Sequence, residues 1–216
     1  MPTKRLFSEW NKEELEAAFG LSRVFQHPRL DNWFEQAATD EPTAVEHDLL
    51  SNLRQVLFEN ADMWNETELR DYLIGPLLAF VNYNTPEFKI FSDRPLSGIV
   101  GEYELSGEPD AVIAKGRYSP QIPYFCFHEY KKAREPKGDP AAQALAAMLV
   151  ARDATQRRHP VYGMYVVGEH WYFMVLEEET YCISKSFAAD DEDIFAIFKI
   201  LKALKAILIE IAKQDA

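Results

Sequence analysis

Residues 121–131 read QIPYFCFHEYK, and this stretch carries the strongest strand pattern in the chain. Successive side chains of a strand point to opposite faces, so Phe127, Glu129 and Lys131 should share one face. The opposite face should carry Tyr124, Cys126, His128 and Tyr130. Because both faces hold apolar residues, the pattern predicts a central strand covered on two sides.

Shorter β-rich segments surround this strand. They are bounded by Gly, Pro and Ser and lie at residues 89–91, 99–105, 110–114, 162–167, 171–176 and 181–184. Helical signals occupy the rest of the chain. Thr43 and Glu46 form a capping box before an apolar stripe at Val45, Leu49, Leu53 and Val56. We expect an α/β protein with a mixed sheet flanked by helices.

Four further helices are predicted around this sheet. Asn11 or Ser8 can cap a short helix that ends at Gly20. A helix from Asn65 should bury Leu69, Leu73, Leu77 and Phe80, with Pro76 marking either a kink or a new helical piece. Asp139 and Pro140 open an alanine-rich helix, and a long apolar helix follows the acidic run at 190–193. The broad apolar face of that last helix should pack on the sheet, or alternatively form a homodimer seam.

The composition favours a cytoplasmic globular protein. The chain has 216 residues, 47% of them hydrophobic, and its N-terminus shows no apolar signal segment. Lysines interrupt the only long apolar run, so no membrane span is expected. Cys126 and Cys182 lack any zinc-binding spacing, and we interpret both as buried free thiols. Residues 1–60 are predicted to form a helical embellishment on a core of residues 61–216, within one compact domain.

Positive charge is concentrated in one part of an acidic chain. The formal net charge is −12, yet residues 111–160 contain nine basic and four acidic side chains. The basic ones are Lys115, Arg117, Lys131, Lys132, Arg134, Lys137, Arg152, Arg157 and Arg158. A strongly acidic chain argues against nucleic-acid binding, whereas this segment is compatible with it. We expect any nucleic acid to bind at residues 111–160.

Asp110, Glu129 and Lys131 have a chemical reason to occur together. Asp110 begins a strand after a turn, where its carboxylate can face the strand end that carries Glu129 and Lys131. Paired carboxylates are ligands that Mg²⁺ or Mn²⁺ accepts, and a metal-bound water is a good nucleophile for phosphodiester hydrolysis. A neighbouring lysine can stabilise the developing negative charge. The alternative is an exposed strand end with an ordinary salt bridge.

The ordered motif resembles the PD-(D/E)xK, or restriction-endonuclease-like, nuclease superfamily. Pro109-Asp110 is followed by Glu129-Tyr130-Lys131, with Asp110 and Glu129 separated by 19 positions. The segment from Asn65, NETELRDYLIGPLL, is similar to the acidic first helix of type I restriction subunit nuclease domains. The resemblance covers roughly residues 62–180 and implies metal-dependent cleavage of nucleic acid, DNA in particular.

The resemblance also assigns roles to individual residues. Asp110, Glu129 and a glutamate of the first helix would hold the metal, and Lys131 would assist the attacking water. Glu66 is the preferred helix glutamate because Glu68 can close a capping box with Asn65, which is a structural role. Gln143, in the helix opened by Asp139, would support the site.

Two other functions fit the same sequence. A nuclease-fold protein that binds partners without catalysis would explain the acidic remainder of the chain and the absence of a recognisable DNA-reading module. A metal phosphoesterase that acts on small substrates is the third alternative. His128 lies on the face opposite Glu129, so we interpret it as a core histidine rather than a base.

Overall fold

A mixed eight-stranded sheet forms the centre of the molecule. The computed structural model describes residues 2–132 and 138–214, without the side chains of residues 123, 125 and 126. The described strands are β1 (Thr3–Leu6), β2 (Ser22–Val24), β3 (Lys89–Ser92), β4 (Leu96–Val100), β5 (Tyr103–Gly107), β6 (Ala111–Lys115), β7 (Gln121–Lys131), β8 (Val161–Val167), β9 (His170–Glu177), β10 (Thr180–Ile183) and β11 (Phe187–Ala188). Those of the large sheet are ordered β2-β10-β9-β8-β7-β6-β3, with β11 beside β9. A smaller sheet has the order β1-β5-β4.

Helices cover both faces of the large sheet. The described α-helices are α1 (Lys12–Phe19), α2 (Pro28–Ala38), α3 (Ala44–Asn60), α4 (Glu66–Leu69), α5 (Gly75–Val81), α6 (Pro140–Ala154) and α7 (Asp193–Gln214). One hydrophobic core lies under α2, α3, α5 and α7, and a second lies under α1 and α6. The predicted mixed sheet with flanking helices is confirmed.

Strand β7 is central, as predicted, and its two neighbours run in different directions. It pairs antiparallel with β6 and parallel with β8. The register slips between Cys126, opposite Ile113, and Tyr124, opposite Ala114. This irregularity corrects one expectation: the Tyr124 ring lies 6.2 Å from that of Phe127 and packs against the α6 core, rather than on the opposite face. An extra residue in a strand breaks the strict alternation of faces.

Helix α6 connects β7 to the parallel strand β8 and therefore runs back along the sheet. Its first turn lies near the carboxyl end of β7, and its last turn lies near the start of β8. Contact with the sheet is close at Gly163, where an added Cβ would come within 2.6 Å of Met148 Sδ. The segment 111–160 therefore begins at one end of the strands, with β6, and finishes at the other end, just before β8.

Helix α7 packs within the chain. Trp33 Nε1 donates to the carbonyl of Ile200 at 2.7 Å, and the Tyr83 hydroxyl donates to the carbonyl of Leu201 at 2.8 Å. The predicted apolar face is buried at Ile194, Ile197, Leu201, Leu204 and Leu208, while Ile211 is only half-buried. A homodimer through α7 would have to use the half-buried side chains that remain. No helix of the described chain is long and apolar enough to cross a membrane.

The N-terminal region is not purely helical, contrary to expectation. Strand β1 pairs in parallel with β5, and β2 pairs in parallel with β10. Both strands are short and largely exposed, so their sequences lack the alternation of apolar residues from which a strand is predicted. The segment 99–105, predicted as one strand, is a hairpin of β4 and β5 with Gly101 at φ +57° in the turn.

The predicted stripe of α3 is partly wrong. Leu50, Leu53 and Leu57 face the core, whereas Val45 is 68% exposed and Val56 is 41% exposed. The capping box of Thr43 and Glu46 is present as predicted. The face of α3 that carries the leucines is buried, because a leucine side chain removes more apolar area from water than a valine side chain does. In the next helical segment Phe80 is also exposed, while Leu69, Leu73 and Leu77 are buried.

The two cysteines differ in what the structure describes. Cys182 is a buried free thiol, as predicted, and burial raises its pKa. The side chain of Cys126 lies outside the described residues.

Candidate active site

Asp110 and Glu129 meet where β6 begins and β7 ends. Ala111 lies opposite His128 in the antiparallel ladder, so Asp110 is level with the last residues of β7. Asp110 Oδ2 accepts a hydrogen bond of 2.6 Å from the backbone N–H of Tyr130. This bond holds the carboxylate against β7 and gives Asp110 a specific position rather than that of a free turn acid.

Glu129 and Lys131 form a buried ion pair on the α6 face of β7. Lys131 Nζ donates to Glu129 Oε1 at 2.8 Å. The Lys131 and Glu129 side chains are only 12% and 7% exposed, respectively. The pair is therefore not an exposed salt bridge at the tip of a strand. Burying two charges is costly, and such an arrangement contributes little to stability compared with apolar packing.

Burial and neighbouring charges perturb both carboxyl groups. Burial, followed by the negative charge of Asp110, raises the pKa of Glu129 to about 7, although Lys131 opposes the shift. Burial also raises the pKa of Asp110, against the hydrogen bond from Tyr130 N–H. Perturbed carboxyl groups of this kind are concentrated at functional sites, although structural ion pairs perturb pKa values too.

Lys131 remains a cation in this environment. Burial alone would lower its pKa, but the carboxylates of Glu129, Glu66 and Asp110 outweigh burial and raise it. A lysine with a raised pKa does not act as a general base at neutral pH. It can donate hydrogen bonds and stabilise negative charge.

Glu66, rather than Glu68, is the helix glutamate that interacts with this group. Asn65 caps α4, and Glu68 Oε2 accepts from the Asn65 N–H at 2.8 Å, so Glu68 completes a capping box. The charge of the exposed Glu66 raises the pKa values of Asp110, Glu129 and Lys131. Glu66 thus acts on the group through its charge from an exposed position, whereas Glu68 has a structural role.

A π-helical turn positions the segment after Glu66. It spans Arg70–Ile74 and is closed by the Gly75 N–H, which donates to the Arg70 carbonyl. Pro76 has no N–H to donate to the preceding helical turn. The wider turn accommodates the proline because it does not require that hydrogen bond. The sequence left open a kink or a second helical piece; the structure shows a wide turn that continues into α5.

Arg70 and Asp93 extend the site and were not anticipated from the sequence. Arg70 Nη1 lies 3.0 Å from Asp93 Oδ2, and the Asp93 N–H donates to the Asp110 carbonyl at 3.3 Å. The charge of Asp93 also contributes to raising the pKa of Asp110. The Asp93-Arg94-Pro95 run signals a turn in the sequence, but only the pairing of β3 with β6 places that turn beside Asp110.

Gln143 lies on α6 near Gly138, away from the hydrogen bonds of the acids. Its Oε1 would be 3.1 Å from a Cβ added at Gly138. Within residues 2–132 and 138–214, no hydrogen bond joins Gln143 to Asp110, Glu129 or Lys131. Its supporting role remains a prediction.

His128 is a buried neutral side chain, as its position opposite Glu129 predicted. Burial lowers its pKa to about 3. Its Nδ1 lies 2.8 Å from the Tyr130 hydroxyl, which leaves it within the core under α7 rather than in the acid group. A histidine with so low a pKa cannot serve as a general acid at neutral pH.

The basic residues of 111–160 are divided between the two ends of the sheet. Arg152 is buried and donates to the Glu178 carbonyl, and Arg157 pairs with Glu178 and Glu179. Both lie at the far end of α6 from Glu129. Lys131 and Lys132 lie at the end with the acids, and Arg134 and Lys137 fall outside the described residues.

The oxygen donors suit a hard cation but are not arranged around one. Among residues 2–132 and 138–214, no three His, Cys, Asp or Glu side chains stand ready to hold a metal ion. Lys131 occupies one oxygen of Glu129, and Tyr130 N–H occupies one oxygen of Asp110. Bound positive charge would relieve the repulsion among the carboxylates, so the donor set fits Mg²⁺ or Mn²⁺ chemically.

The comparisons with known proteins add no family assignment. No protein-family model matches the chain, and no curated protein sequence matches it. The mixed α/β fold with a helix-flanked sheet is established by the structure itself.

Proposed function

We propose that the protein hydrolyses phosphodiester bonds in nucleic acid, DNA in particular, with Mg²⁺ or Mn²⁺. In class it would be a restriction-endonuclease-like PD-(D/E)xK nuclease. The observation that supports this proposal most is the group of Asp110, Glu129 and Lys131, in which the Lys131 amine contacts Glu129 at 2.8 Å and the charges of Asp110 and Lys131 shift the pKa of the buried Glu129. Asp110, at the start of β6, lies beside Glu129 and Lys131, at the end of β7, in a part of the sheet where ordinary packing would favour apolar residues.

The residues would divide the work as follows. Glu66, Asp110 and Glu129 would hold the cation, and Tyr130 N–H would fix the orientation of Asp110. A bound divalent cation supplies Lewis acidity, lowers the pKa of its water and offsets charge on the phosphate. Lys131, which stays protonated, would orient the nucleophilic water and stabilise the developing negative charge.

A plasmid-nicking assay tests the proposal. Supercoiled plasmid is incubated with Mg²⁺ or Mn²⁺ and with wild type, Asp110→Ala or Lys131→Ala. We expect nicking by the wild type and a loss of about 100-fold or more in each variant, since each change removes a charged group from the site.

The surface pair of the exposed Lys4 and the half-buried Glu104, at 3.3 Å, provides a control. Lys4→Ala and Glu104→Gln alter a strand Lys–Glu pair outside the site and should leave nicking unchanged. Activity that survives both Asp110→Ala and Lys131→Ala would disprove the mechanism.

A binding protein with a nuclease-like fold is the second candidate. The closed Lys131–Glu129 pair and the net charge of −12 favour it. Its signature would be the absence of Mg²⁺ or Mn²⁺ binding in calorimetric titration, with or without DNA, together with no nicking. Cleavage that depends on Asp110 would exclude it.

A further inference from the structure

A groove at the other end of β6 carries an unusual density of positive charge. It has a volume of about 670 Å³ and lies between the edge strand β3, the loop after β6 and the end of α7. Its basic side chains are Lys89, Lys115, Arg117 and Lys213. Glu87 is its acidic side chain, and it acts electrostatically on Lys213, which also bonds to Glu210. Such a density of cations is unexpected in a chain of net charge −12.

Three of these cations have no carboxylate partner within the described chain. Across residues 2–132 and 138–214, no carboxylate lies within ion-pair distance of Lys89, Lys115 or Arg117. The other basic side chains that could have served nucleic acid differ in this respect, since Arg152 and Arg157 are both paired. Like charges held together without counter-charges raise the local potential and attract an anionic ligand.

An aromatic side chain stands beside the groove. Tyr118 is 82% exposed, and the Arg117 guanidinium lies 5.3 Å from the centre of its ring. The loop that carries them is tightly folded, because Gly116 has φ +113° and an added Cβ would come within 2.1 Å of the Ser119 carbonyl oxygen. An exposed ring beside cations is the arrangement on which unpaired bases stack.

We propose that this groove binds single-stranded nucleic acid, with Lys89, Lys115 and Arg117 on the phosphates and a base stacked on Tyr118. A base in a duplex cannot reach the ring, so Tyr118 favours a single strand. Asp110 precedes β6 and Lys115 ends it, so the two residues are about 17 Å apart at the usual strand rise. The inference rests on the proposed function for its biological purpose, which would be to hold a nucleic-acid strand for the site at the other end of β6.

The test measures binding without catalysis. Fluorescence anisotropy with a labelled twelve-nucleotide oligothymidine is recorded in EDTA for wild type, Tyr118→Ala and the triple variant Lys89→Gln, Lys115→Gln, Arg117→Gln. We expect about tenfold or more loss of affinity in the triple variant and about fivefold or more in Tyr118→Ala. The slope of log affinity against log salt should fall by about 2 in the triple variant.

A second triple variant, Lys4→Gln, Lys185→Gln, Lys199→Gln, removes the same charge elsewhere and should retain wild-type affinity. Equal losses in both triples would overturn the inference, as would an unchanged affinity in Tyr118→Ala. Asp110→Ala should bind the oligonucleotide normally in EDTA. A wild-type protein that binds the oligonucleotide but does not nick plasmid with Mg²⁺ or Mn²⁺ would refute the proposed nuclease function and leave the groove assignment standing.

Discussion

Glu129 combines two opposing influences in one carboxyl group. Its side chain is almost fully buried, and burial together with Asp110 outweighs the favourable contact with Lys131. The result is a pKa of about 7, so this carboxyl is partly protonated at neutral pH. A cation near Glu129 would favour the ionised form, which links its protonation to metal binding.

The pH dependence of stability should reveal this group. Between pH 4.5 and 7 the folded state holds a proton on Glu129 that the unfolded state has lost, so the unfolding free energy should fall as pH rises through this window. The full contribution is about 3 kcal/mol. Urea titrations at pH 5 and pH 8 measure the unfolding free energy at each pH. Its decrease from pH 5 to pH 8 should be larger in wild type than in Glu129→Gln.

Glu104→Gln serves as the control for this measurement because Glu104 pairs with the exposed Lys4 outside the site. His128 acts in the opposite direction, since its lowered pKa makes the protein less stable as pH falls below 6.5. The comparison is therefore made on the difference between wild type and Glu129→Gln, in which the His128 contribution cancels. A difference that does not change between pH 5 and pH 8 would contradict the account of Glu129.

Glu129 and Lys131 were predictable from the sequence because strand alternation is a local rule. Their shared face follows from a separation of two residues, and the apolar residues before them indicate burial. The same rule failed for Tyr124, because a register shift in β7 interrupts the alternation of faces. Asp93 could not be found at all, since its place beside Asp110 depends on the pairing of β3 with β6.

Glu66 and Glu68, in the helical segment after Asn65, have different roles. Glu68 closes the cap of α4, while Glu66 acts through its charge on the acids of β6 and β7. The wide turn from Arg70 lets the segment pass Pro76 without breaking. Local propensity predicts the cap, whereas the position from which the charge of Glu66 acts on Glu129 depends on packing of the whole segment.

Substitutions of the two glutamates should therefore have opposite effects. Glu68→Ala removes the acceptor for the Asn65 N–H and should lower the unfolding free energy by about 0.5–1 kcal/mol, with nicking retained. Glu66→Ala removes no helix hydrogen bond and should leave stability unchanged while it reduces nicking. Urea titration and plasmid nicking of both variants provide the measurements. The reverse pattern would assign the site to Glu68.

The whole molecule places its two charged features at opposite ends of β6. The acids and Lys131 lie at one end, and the groove of Lys89, Lys115 and Arg117 lies at the other. The sequence showed that residues 111–160 are basic but could not show this division. The direction of α6, which carries Arg152 to the far end, depends on the parallel pairing of β7 and β8.

The same non-local pairing explains what else the sequence missed. Short exposed strands such as β1 and β2 are stabilised by their partners in the sheets rather than by their own residues. The helices were easier to predict, because Asn11, Thr43, Asn65 and Asp139 are local capping signals that the structure confirms.

Calorimetric titration with Mn²⁺ at pH 8 tests the proposed site most directly. Wild type and Glu104→Gln should each bind Mn²⁺ with equal affinity, and Glu129→Gln and Asp110→Ala should lose the binding heat. Absence of binding in wild type, with and without added DNA, would contradict the metal-dependent mechanism. Undiminished binding in both Glu129→Gln and Asp110→Ala would show that the metal lies elsewhere.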